Sequence, residues 1–162
     1  MKPPQQVRRP QGGEAVSTSA FTIETDPTPE QVQYLEERLY EFNSTTTGIR
    51  DGQGLAIFVR DEGGHIVAGI CGHTWGGCCE IRQLWVEEGR RRQGLGARLL
   101  QAAEQEAHRR RCGQILLSTH SFQAPEFYKK YGFQVLAAVN DYPQGHQHLL
   151  LRKELVQRSE AS

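Results

Sequence analysis

The stretch at residues 86–96, VEEGRRRQGLG, constrains the fold of this chain more than any other segment. It follows a predicted strand at 80–86, and the apolar residues after it recur at the spacing of one helix face: Leu95, Leu99, Ala103 and Ala107. The pattern predicts a strand joined to a helix by a glycine-rich turn. The start of such a helix offers unpaired backbone N–H groups and a partial positive charge, and glycines let a ligand come close. Since three arginines share this turn, the predicted ligand carries several phosphate charges.

Two other phosphate-binding motifs do not fit this stretch. A dinucleotide fold needs G-x-G-x-x-G and an acidic residue about 20 positions later. Here Leu99 stands where the third glycine would be, and no acid lies near Leu116 and Leu117. A P-loop needs Gly-Lys followed by Ser or Thr, which the chain lacks. The alternative that this segment is only a turn and a helix start, with no ligand bound, stays open at this point.

The rest of the chain alternates strand and helix patterns. Strands are predicted at 20–25, 55–59, 66–70, 80–86, 115–117, 133–139 and 148–151. A first helix is predicted to follow the turn at 26–30 and to end near 43, a second to run from 95 to near 111, and a third to span 126–131. The two strands around Gly63-Gly64 predict a hairpin, and Pro125 suits the first turn of the last helix. This order favours a mixed sheet of the α/β or α+β class.

Composition excludes several kinds of partner. The 162 residues hold 19 Lys+Arg and 19 Asp+Glu, and this zero net charge gives little support to non-specific nucleic-acid binding. No stretch approaches the ~20 apolar residues of a membrane span. We therefore expect a cytoplasmic protein without a nucleic-acid or membrane partner. It would comprise an N-terminal arm at 1–19, one domain at 20–155 and a tail at 156–162.

The four cysteines predict reduced thiols rather than a disulfide framework. Cys71, Cys78, Cys79 and Cys112 form no C-x-x-C pair. A zinc site could be assembled from three of these thiols and His73, but their spacing is unlike the paired C-x₂₋₄-C of structural zinc sites. No metal is expected.

Two blocks of sequence resemble the GNAT superfamily of acetyl-CoA-dependent N-acetyltransferases. Val86-x₄-Arg91-x-x-Gly94-x-Gly96 is similar to the acetyl-CoA signature of that family, V-x₄-[Q/R]-x-x-G-x-[G/A]. Phe127-Tyr128-Lys129-Lys130-Tyr131-Gly132-Phe133 is similar to its "FYxxxGF" element. The resemblance covers about residues 21–155, and it implies a mixed, mostly antiparallel central sheet with two splayed parallel strands, flanked by helices.

The resemblance also implies where acetyl-CoA binds. The pantetheine arm would pair with the backbone of Leu84, Trp85 and Val86, and the Leu84 N–H would face the thioester carbonyl. The pyrophosphate would rest on the N–H groups of Arg91, Arg92, Gln93, Gly94, Leu95, Gly96 and Ala97. Many members carry N-x-x-A before the second block, whereas this chain has Ser121-Phe122-Gln123-Ala124, so Ser121 is the candidate substitute for the asparagine contact.

Glu80 is the candidate general base. It lies six residues before Val86, the spacing of the catalytic glutamate in the histone acetyltransferases of the family. Simple alternation would also place Glu80, Arg82, Leu84 and Val86 on one face of the strand. An alkyl ammonium has a pKa near ~10.4, so a carboxylate with a raised pKa, acting through water, would help to deprotonate it. An ion pair of Glu80 with Arg82 or another cation is the alternative.

Tyr128 matches the tyrosine that protonates the departing CoA thiolate in many members. A phenol can donate to sulfur because it stays protonated well above neutral pH. The alternative is core packing beside Phe127 and Tyr131. An acyl-cysteine route through Cys78 or Cys79 would compete with direct transfer, but no histidine lies at an obvious partnering position.

The expected function is transfer of acetyl from acetyl-CoA to a primary amine by direct attack in a ternary complex. A small-molecule acceptor is the first choice, and a protein lysine or N-terminal acetyltransferase and a non-enzymatic CoA-binding module are the alternatives. The family often forms dimers, so a homodimer stays open. The acceptor site could be shaped by residues before Glu80 and around the last turn, namely His73, Trp75, Asp141, Tyr142, His146 and His148.

Overall fold

A computed structural model describes residues 23–156, which contain three α-helices, a short 3-10 helix at Glu88–Arg90 and one sheet. The elements in chain order are α1 Pro29–Thr47, β1 Gln53–Arg60, β2 Ile66–Trp75, β3 Cys78–Val86, α2 Leu95–Arg109, β4 Gln114–His120, α3 Pro125–Lys130, β5 Gln134–Asn140 and β6 Gln147–Glu154. The described residues fall into two compact units, 23–39 and 40–156, and all six strands belong to the second. None of the helices in the described part of the chain is both long and apolar enough to cross a membrane.

The sheet confirms the predicted mixed, mostly antiparallel architecture. Its strand order is β1-β2-β3-β4-β6-β5, and β3 and β4 are the one parallel pair among the described strands. These two strands pair only from Cys78 opposite Gln114 to Ile81 opposite Leu117. Beyond that point they separate, so the backbone of residues 82–86 has no strand partner on the β4 side. The fold thus opens a gap between its two parallel strands.

Helix α2 covers one face of the sheet and closes the core. Of the predicted face, Leu99, Ala103 and Ala107 are buried against β1–β4 and Leu95 is partly buried, and Leu100 is buried beside them. The strand residues packed with them include Ile70, Cys79, Ile81, Ile115, Leu117 and Leu151. At the end of α2, Arg110 donates to the carbonyls of Gln53 and Gly54, which fastens the helix to β1. These bonds join the carboxyl end of α2 to the edge strand of the sheet.

A β-bulge at Arg82 overturns the predicted alternation along β3. Cys71 pairs with Gln83, but the next residue, Gly72, pairs with Ile81, so Arg82 has no partner on β2. The extra residue reverses the direction of the side chains that follow. Leu84 therefore lies on the α2 side of the sheet and Glu80 on the opposite side, and the expectation that they share a face was wrong.

Gly72 permits the close strand approach at this bulge. A Cβ atom at this position would overlap the Glu80 carbonyl oxygen and lie 2.9 Å from its carbonyl carbon. Both are backbone atoms of the paired strand, so no side chain can move aside to relieve the overlap. The bulge and the glycine are two parts of one feature.

We expect Gly72→Ala to lower the free energy of unfolding by about 3 kcal/mol, because β2 and β3 must move apart. Urea denaturation measures the change. Gly54→Ala on β1 is the matched control, since a Cβ there meets no atom within 4 Å. Equal losses in the two variants would show that an added methyl group on either strand, and not the overlap with Glu80, sets the cost.

The remaining elements lie where the sequence patterns predicted them, but β2 and β4 extend well past the predicted 66–70 and 115–117, and two further differences occur near the amino terminus. The predicted strand at 20–25 is not a strand at 23–25, and its first half, like the proposed arm at 1–19, lies outside the described residues. The tail at 156–162 also lies outside them, apart from Val156. Helix α1 extends to Thr47 rather than ending near 43; in its last turn Ser44 is fully buried and the Thr47 hydroxyl donates to the Asn43 carbonyl.

Candidate active site

A cavity of about 810 Å³ occupies the gap between the splayed strands. It is lined by residues 82–86 of β3, the arginine-rich turn, the start of α2, the end of β4, and α3 with the loop before it. The lining includes ten of the predicted site residues, namely Leu84, Trp85, Val86, Arg91, Arg92, Gly94, Leu95, Gly96, Ala97 and Tyr128. It does not include Glu80, Gln93 or Ser121.

One end of the cavity is formed by the start of α2. The first bond within this helix runs from the Arg98 N–H to the Gly94 carbonyl at 3.0 Å, so the N–H groups of Leu95, Gly96 and Ala97 have no carbonyl to meet inside the helix. Gly94 adopts a φ of 80°, in the left-handed region that favours glycine. The turn thus aims a set of backbone donors at the cavity, where they suit an anion.

The three arginines of the turn play different parts. Arg90 bonds to Glu87 at 3.1 Å, and the Arg91 Nε donates to the Val86 carbonyl at 3.1 Å. The Arg91 N–H is also occupied, since it donates to the Glu88 carbonyl at 3.2 Å, so we do not count it among the available donors. Arg92 has no side-chain partner among residues 23–156 and a φ of 63°, a conformation that costs a non-glycine residue about 1–2 kcal/mol. Arg92 is therefore the guanidinium free to meet a ligand.

Tyr128 reaches the cavity from α3. Pro125 occupies the first turn of this helix as predicted, and the Tyr128 ring packs edge-on against Phe127 and Phe133 at 5.2 and 6.0 Å between centroids. Burial raises the pKa of the Tyr128 phenol, so the hydroxyl stays protonated at neutral pH. No group within 23–156 bonds to this hydroxyl. A half-buried, uncommitted proton donor therefore faces the cavity.

Glu80 lies on the face of the sheet away from α2, beside the closed end of the gap. Its backbone pairs with Leu116, one residue before the last parallel pair. Its side chain is half exposed, and its Oε2 lies 3.8 Å from the Nε2 of His73 on β2. The Nδ1 of His73 is buried without a hydrogen-bond partner in the described part of the chain. The carboxylate thus reaches solvent and lies beside an imidazole.

The profile of the Acetyltransferase (GNAT) family matches residues 18–133 of the chain. The chain belongs to this family. Membership makes the protein an acyltransferase and confirms the resemblance drawn from its two sequence blocks. The family uses acetyl-CoA, which suits a cavity with an anion-binding end.

Known proteins and solved structures align with most of the length of this acetyltransferase. Blasticidin-S acetyltransferase of Streptomyces morookaense is 38% identical over 101 residues, which make up 62% of this chain and 74% of that protein. A crystal structure of an acetyltransferase from Bacillus cereus is 31% identical with a TM-score of 0.69, over 83% of this chain and 98% of that one. A Bacillus anthracis structure in complex with acetyl coenzyme A shares the fold, with a TM-score of 0.56 at 20% identity over 64% of this chain and 63% of that one.

Three thiols of the acetyltransferase, those of Cys78, Cys79 and Cys112, are poorly suited to nucleophilic attack. Burial raises the pKa of Cys78, and burial together with neighbouring groups raises the pKa of Cys79 to about 12. Burial also raises the pKa of Cys112. Since the thiolate is the nucleophile, these groups are almost wholly in their inactive form at neutral pH. Within residues 23–156 no cluster of three His, Cys, Asp or Glu side chains could hold a metal ion.

The side chains of Ser121 and Gln93 bond to the protein backbone outside the cavity lining. The Ser121 hydroxyl accepts from the Gln147 N–H at 3.1 Å, and the Ser121 N–H donates to the Gln147 carbonyl at 2.8 Å, so Ser121 joins the end of β4 to β6. We do not include it in the cofactor site. The Gln93 side chain donates to the Gly89 carbonyl at 3.3 Å, which leaves its backbone N–H as its only candidate contact.

Sequence reasoning missed a group of five rings beside the cavity, which we call the ring cluster. Its members are His120, Phe122, Tyr142, His146 and His148. Three of them had been singled out individually as possible acceptor-site residues, but not as a group. The signal that could have found them is the density of His and aromatic residues just after β4 and around the last turn.

Proposed function

We propose that this acetyltransferase transfers the acetyl group of acetyl-CoA to a primary amine of a small molecule, by direct attack in a ternary complex. The observation that carries the proposal is the cavity itself. It runs between unpaired β3 backbone and an uncommitted phenol, and it ends on the backbone donors of α2. These are the groups needed for an amide-bearing arm, a leaving thiolate and a diphosphate.

The cofactor would lie along β3 as an added strand. The backbone of Leu84, Trp85 and Val86 would pair with the pantetheine amides, because these residues have no partner on the β4 side. The pyrophosphate would meet the N–H groups of Arg92, Gln93, Gly94, Leu95, Gly96 and Ala97, with the Arg92 guanidinium beside it. The Leu84 N–H, just past the bulge, would polarise the thioester carbonyl.

The chemistry needs two proton transfers. The amine nitrogen attacks the thioester carbon, the C–S bond breaks, and an amide and a CoA thiolate result. Glu80 would accept the proton that the amine loses, directly or through water, and Tyr128 would supply a proton to the thiolate. Direct attack is favoured over an acyl-cysteine because the candidate nucleophiles Cys78 and Cys79 both have raised pKa values.

Similarity to relatives supports a small molecule as the acceptor. The Streptomyces morookaense relative is named for blasticidin S, and it is 38% identical over 101 residues, or 62% of this chain. A screen of small amines, blasticidin S among them, with detection of the free CoA thiol tests this assignment. Thiol release with at least one amine and none with protein substrates is expected. Acetyl-CoA binding without thiol release for any amine, peptide or protein would refute the enzymatic proposal.

We expect Arg92→Gly to weaken acetyl-CoA binding about 3- to 10-fold without loss of stability. The change removes one charge-assisted contact to phosphate, and it also relieves the left-handed strain at this position. The greater chain entropy of glycine, about 0.5–1 kcal/mol, offsets part of that gain. Calorimetric titration with acetyl-CoA measures the affinity, and urea denaturation measures the stability.

Arg98→Ala is the matched control, because Arg98 is exposed on α2 and does not line the cavity. It removes the same charge from the protein as a whole. If both variants bound acetyl-CoA equally weakly, the effect would come from overall charge, and the contact proposed for Arg92 would be wrong. No heat with acetyl-CoA for the wild-type protein would refute the cofactor site.

A further inference from the structure

The ring cluster continues the wall of the cavity at the far end of β4. Phe122 lines the cavity and stacks on His120 with centroids 5.2 Å apart and planes 16° apart. His120 also contacts His148 at 4.9 Å and Tyr142 at 5.5 Å, and Phe122 contacts His146 at 4.9 Å. Five rings from three segments of the chain thus form one surface that reaches the cavity through Phe122.

Hydrogen bonds hold the centre of this surface in place. The Gln123 side-chain oxygen lies 3.0 Å from the His120 N–H and 3.0 Å from its Nδ1. A backbone N–H can only donate, so the atom it meets must be the amide oxygen, and His120 Nδ1 must then carry a proton. Gln123 itself lines the cavity. The His120 ring, and the Phe122 ring stacked on it, are therefore fixed relative to the cavity wall.

The surface nevertheless leaves aromatic faces and polar edges unused. Phe122 is 55% exposed and Tyr142 is 57% exposed, which is high for rings that already contact neighbours. Within residues 23–156, His120 Nδ1 is the one ring nitrogen of the cluster that has a hydrogen-bond partner. The remaining nitrogens of His120, His146 and His148 can donate or accept. Flat apolar faces next to uncommitted polar edges suit a flat ring with polar atoms at its rim.

The register of the sheet places this surface on the same side as Glu80. Glu80 pairs with Leu116, and Ser118 and His120 follow at two-residue steps on that face, with His148 opposite His120 on β6. The arginine-rich turn leads instead into α2, which packs on the opposite face of the sheet. A ligand held by the ring cluster would therefore reach the acyl group from the side of the proposed base.

We propose that the ring cluster binds a flat, conjugated ring of the acceptor, so that the preferred substrate is a primary amine attached to such a ring. This proposal rests on the proposed function and specifies its substrate class. Phe122 supplies the stacking face at the cavity, Tyr142 extends it, and the histidines bond to the ring edge. A saturated ring of equal size and reach fits less well because it is not flat.

The experiment compares 2-phenylethylamine with 2-cyclohexylethylamine, which share a carbon skeleton and differ in the flatness of the ring. We expect kcat/KM to be about fivefold or more higher for the phenyl compound, which corresponds to the free energy of one aromatic contact. Phe122→Leu should reduce this preference to about one, and Tyr142→Leu should reduce it in part. Phe58→Leu, an exposed aromatic on β1 away from the cavity, is the control and should keep it.

Saturation-transfer NMR measures the binding of the two amines to the CoA-loaded protein. This second readout needs no turnover. Equal binding and equal kcat/KM for the two amines, or a preference that survives in Phe122→Leu, would overturn the ring-binding proposal while the acetyltransferase activity stands. If acetyl-CoA binds but neither amine is acetylated, selective binding of the phenyl compound supports the proposal and equal binding overturns it. Failure of acetyl-CoA to bind would refute the proposed function instead.

Discussion

Replacing Glu80 with glutamine should lower kcat about 100-fold and leave the affinity for acetyl-CoA nearly unchanged. Glutamine keeps the size of the side chain but cannot accept a proton, and general-base catalysis contributes roughly 10²–10⁴-fold to rates. Glu80 does not line the cavity in which the cofactor would lie, so its loss should not disturb cofactor binding. Steady-state rates and calorimetric titration of acetyl-CoA measure the two quantities separately.

The deficit of the Glu80→Gln variant should shrink as pH rises. Below the alkyl ammonium pKa of about 10.4, the fraction of neutral amine rises about tenfold with each pH unit. The variant depends on amine that is already neutral, whereas the wild type can use a base, so the two rates converge at high pH. A deficit that stayed constant across the pH range would indicate that Glu80 positions the acceptor and does not remove its proton.

Glu62→Gln, in the exposed turn between β1 and β2, controls for the loss of one carboxylate. The contact of Glu80 with His73 at 3.8 Å raises the alternative of a structural role. A structural role would appear as a lower melting temperature with an unchanged pH profile. Unchanged kcat at every pH would remove Glu80 from the mechanism.

Local sequence signals predicted most of the fold because they act over a few residues. The hairpin around Gly63-Gly64, the glycine turn before α2, and Pro125 at the start of α3 each specify their own backbone conformation. The buried face of α2 followed from the apolar spacing alone. These features need no knowledge of distant contacts.

The bulge at Arg82 could not be read from alternation, because register depends on which residues of two strands meet. The sequence did contain one hint, since a glycine inside a strand pattern often marks a bulge or a close backbone approach, as Gly72 does. The predicted strand at 20–25 had no such neighbouring signal. The part of this stretch that the structure describes, residues 23–25, forms no strand.

The candidate site was predictable in part for the same reason. The turn residues Arg92 and Gly94 and the α3 residue Tyr128 lie within short motifs, and the structure brings them to one cavity. The ring cluster joins residues 120–122 to residues 142–148, and only the pairing of β4 with β6 brings these segments together. Ser121 illustrates the limit, since its hydroxyl serves that pairing rather than the cavity.

Tyr128→Phe should lower kcat about 100-fold while the affinity for acetyl-CoA stays within about twofold, because the ring remains and only the proton donor is lost. Burial raises the pKa of this phenol, so the donor form is kept through neutral pH and is lost only as pH rises through that raised value. The raised pKa makes the phenol a weaker acid. Burial raises the pKa of a thiol as well, so a buried CoA thiolate is a stronger base and can still accept the proton. The wild type should therefore show no alkaline loss of kcat from Tyr128 below about pH 10.

Tyr131→Phe provides a matched control, because Tyr131 also lines the cavity and its ring lies 5.1 Å from Phe127. It removes a hydroxyl from the same wall of the cavity and should leave kcat nearly unchanged. Loss of kcat in Tyr131→Phe with full activity in Tyr128→Phe would reassign the donor to the neighbouring tyrosine. Equal, full activity in both would mean that the thiolate leaves without a protein acid, and the contribution of Tyr128 would then be its packing against Phe127 and Phe133.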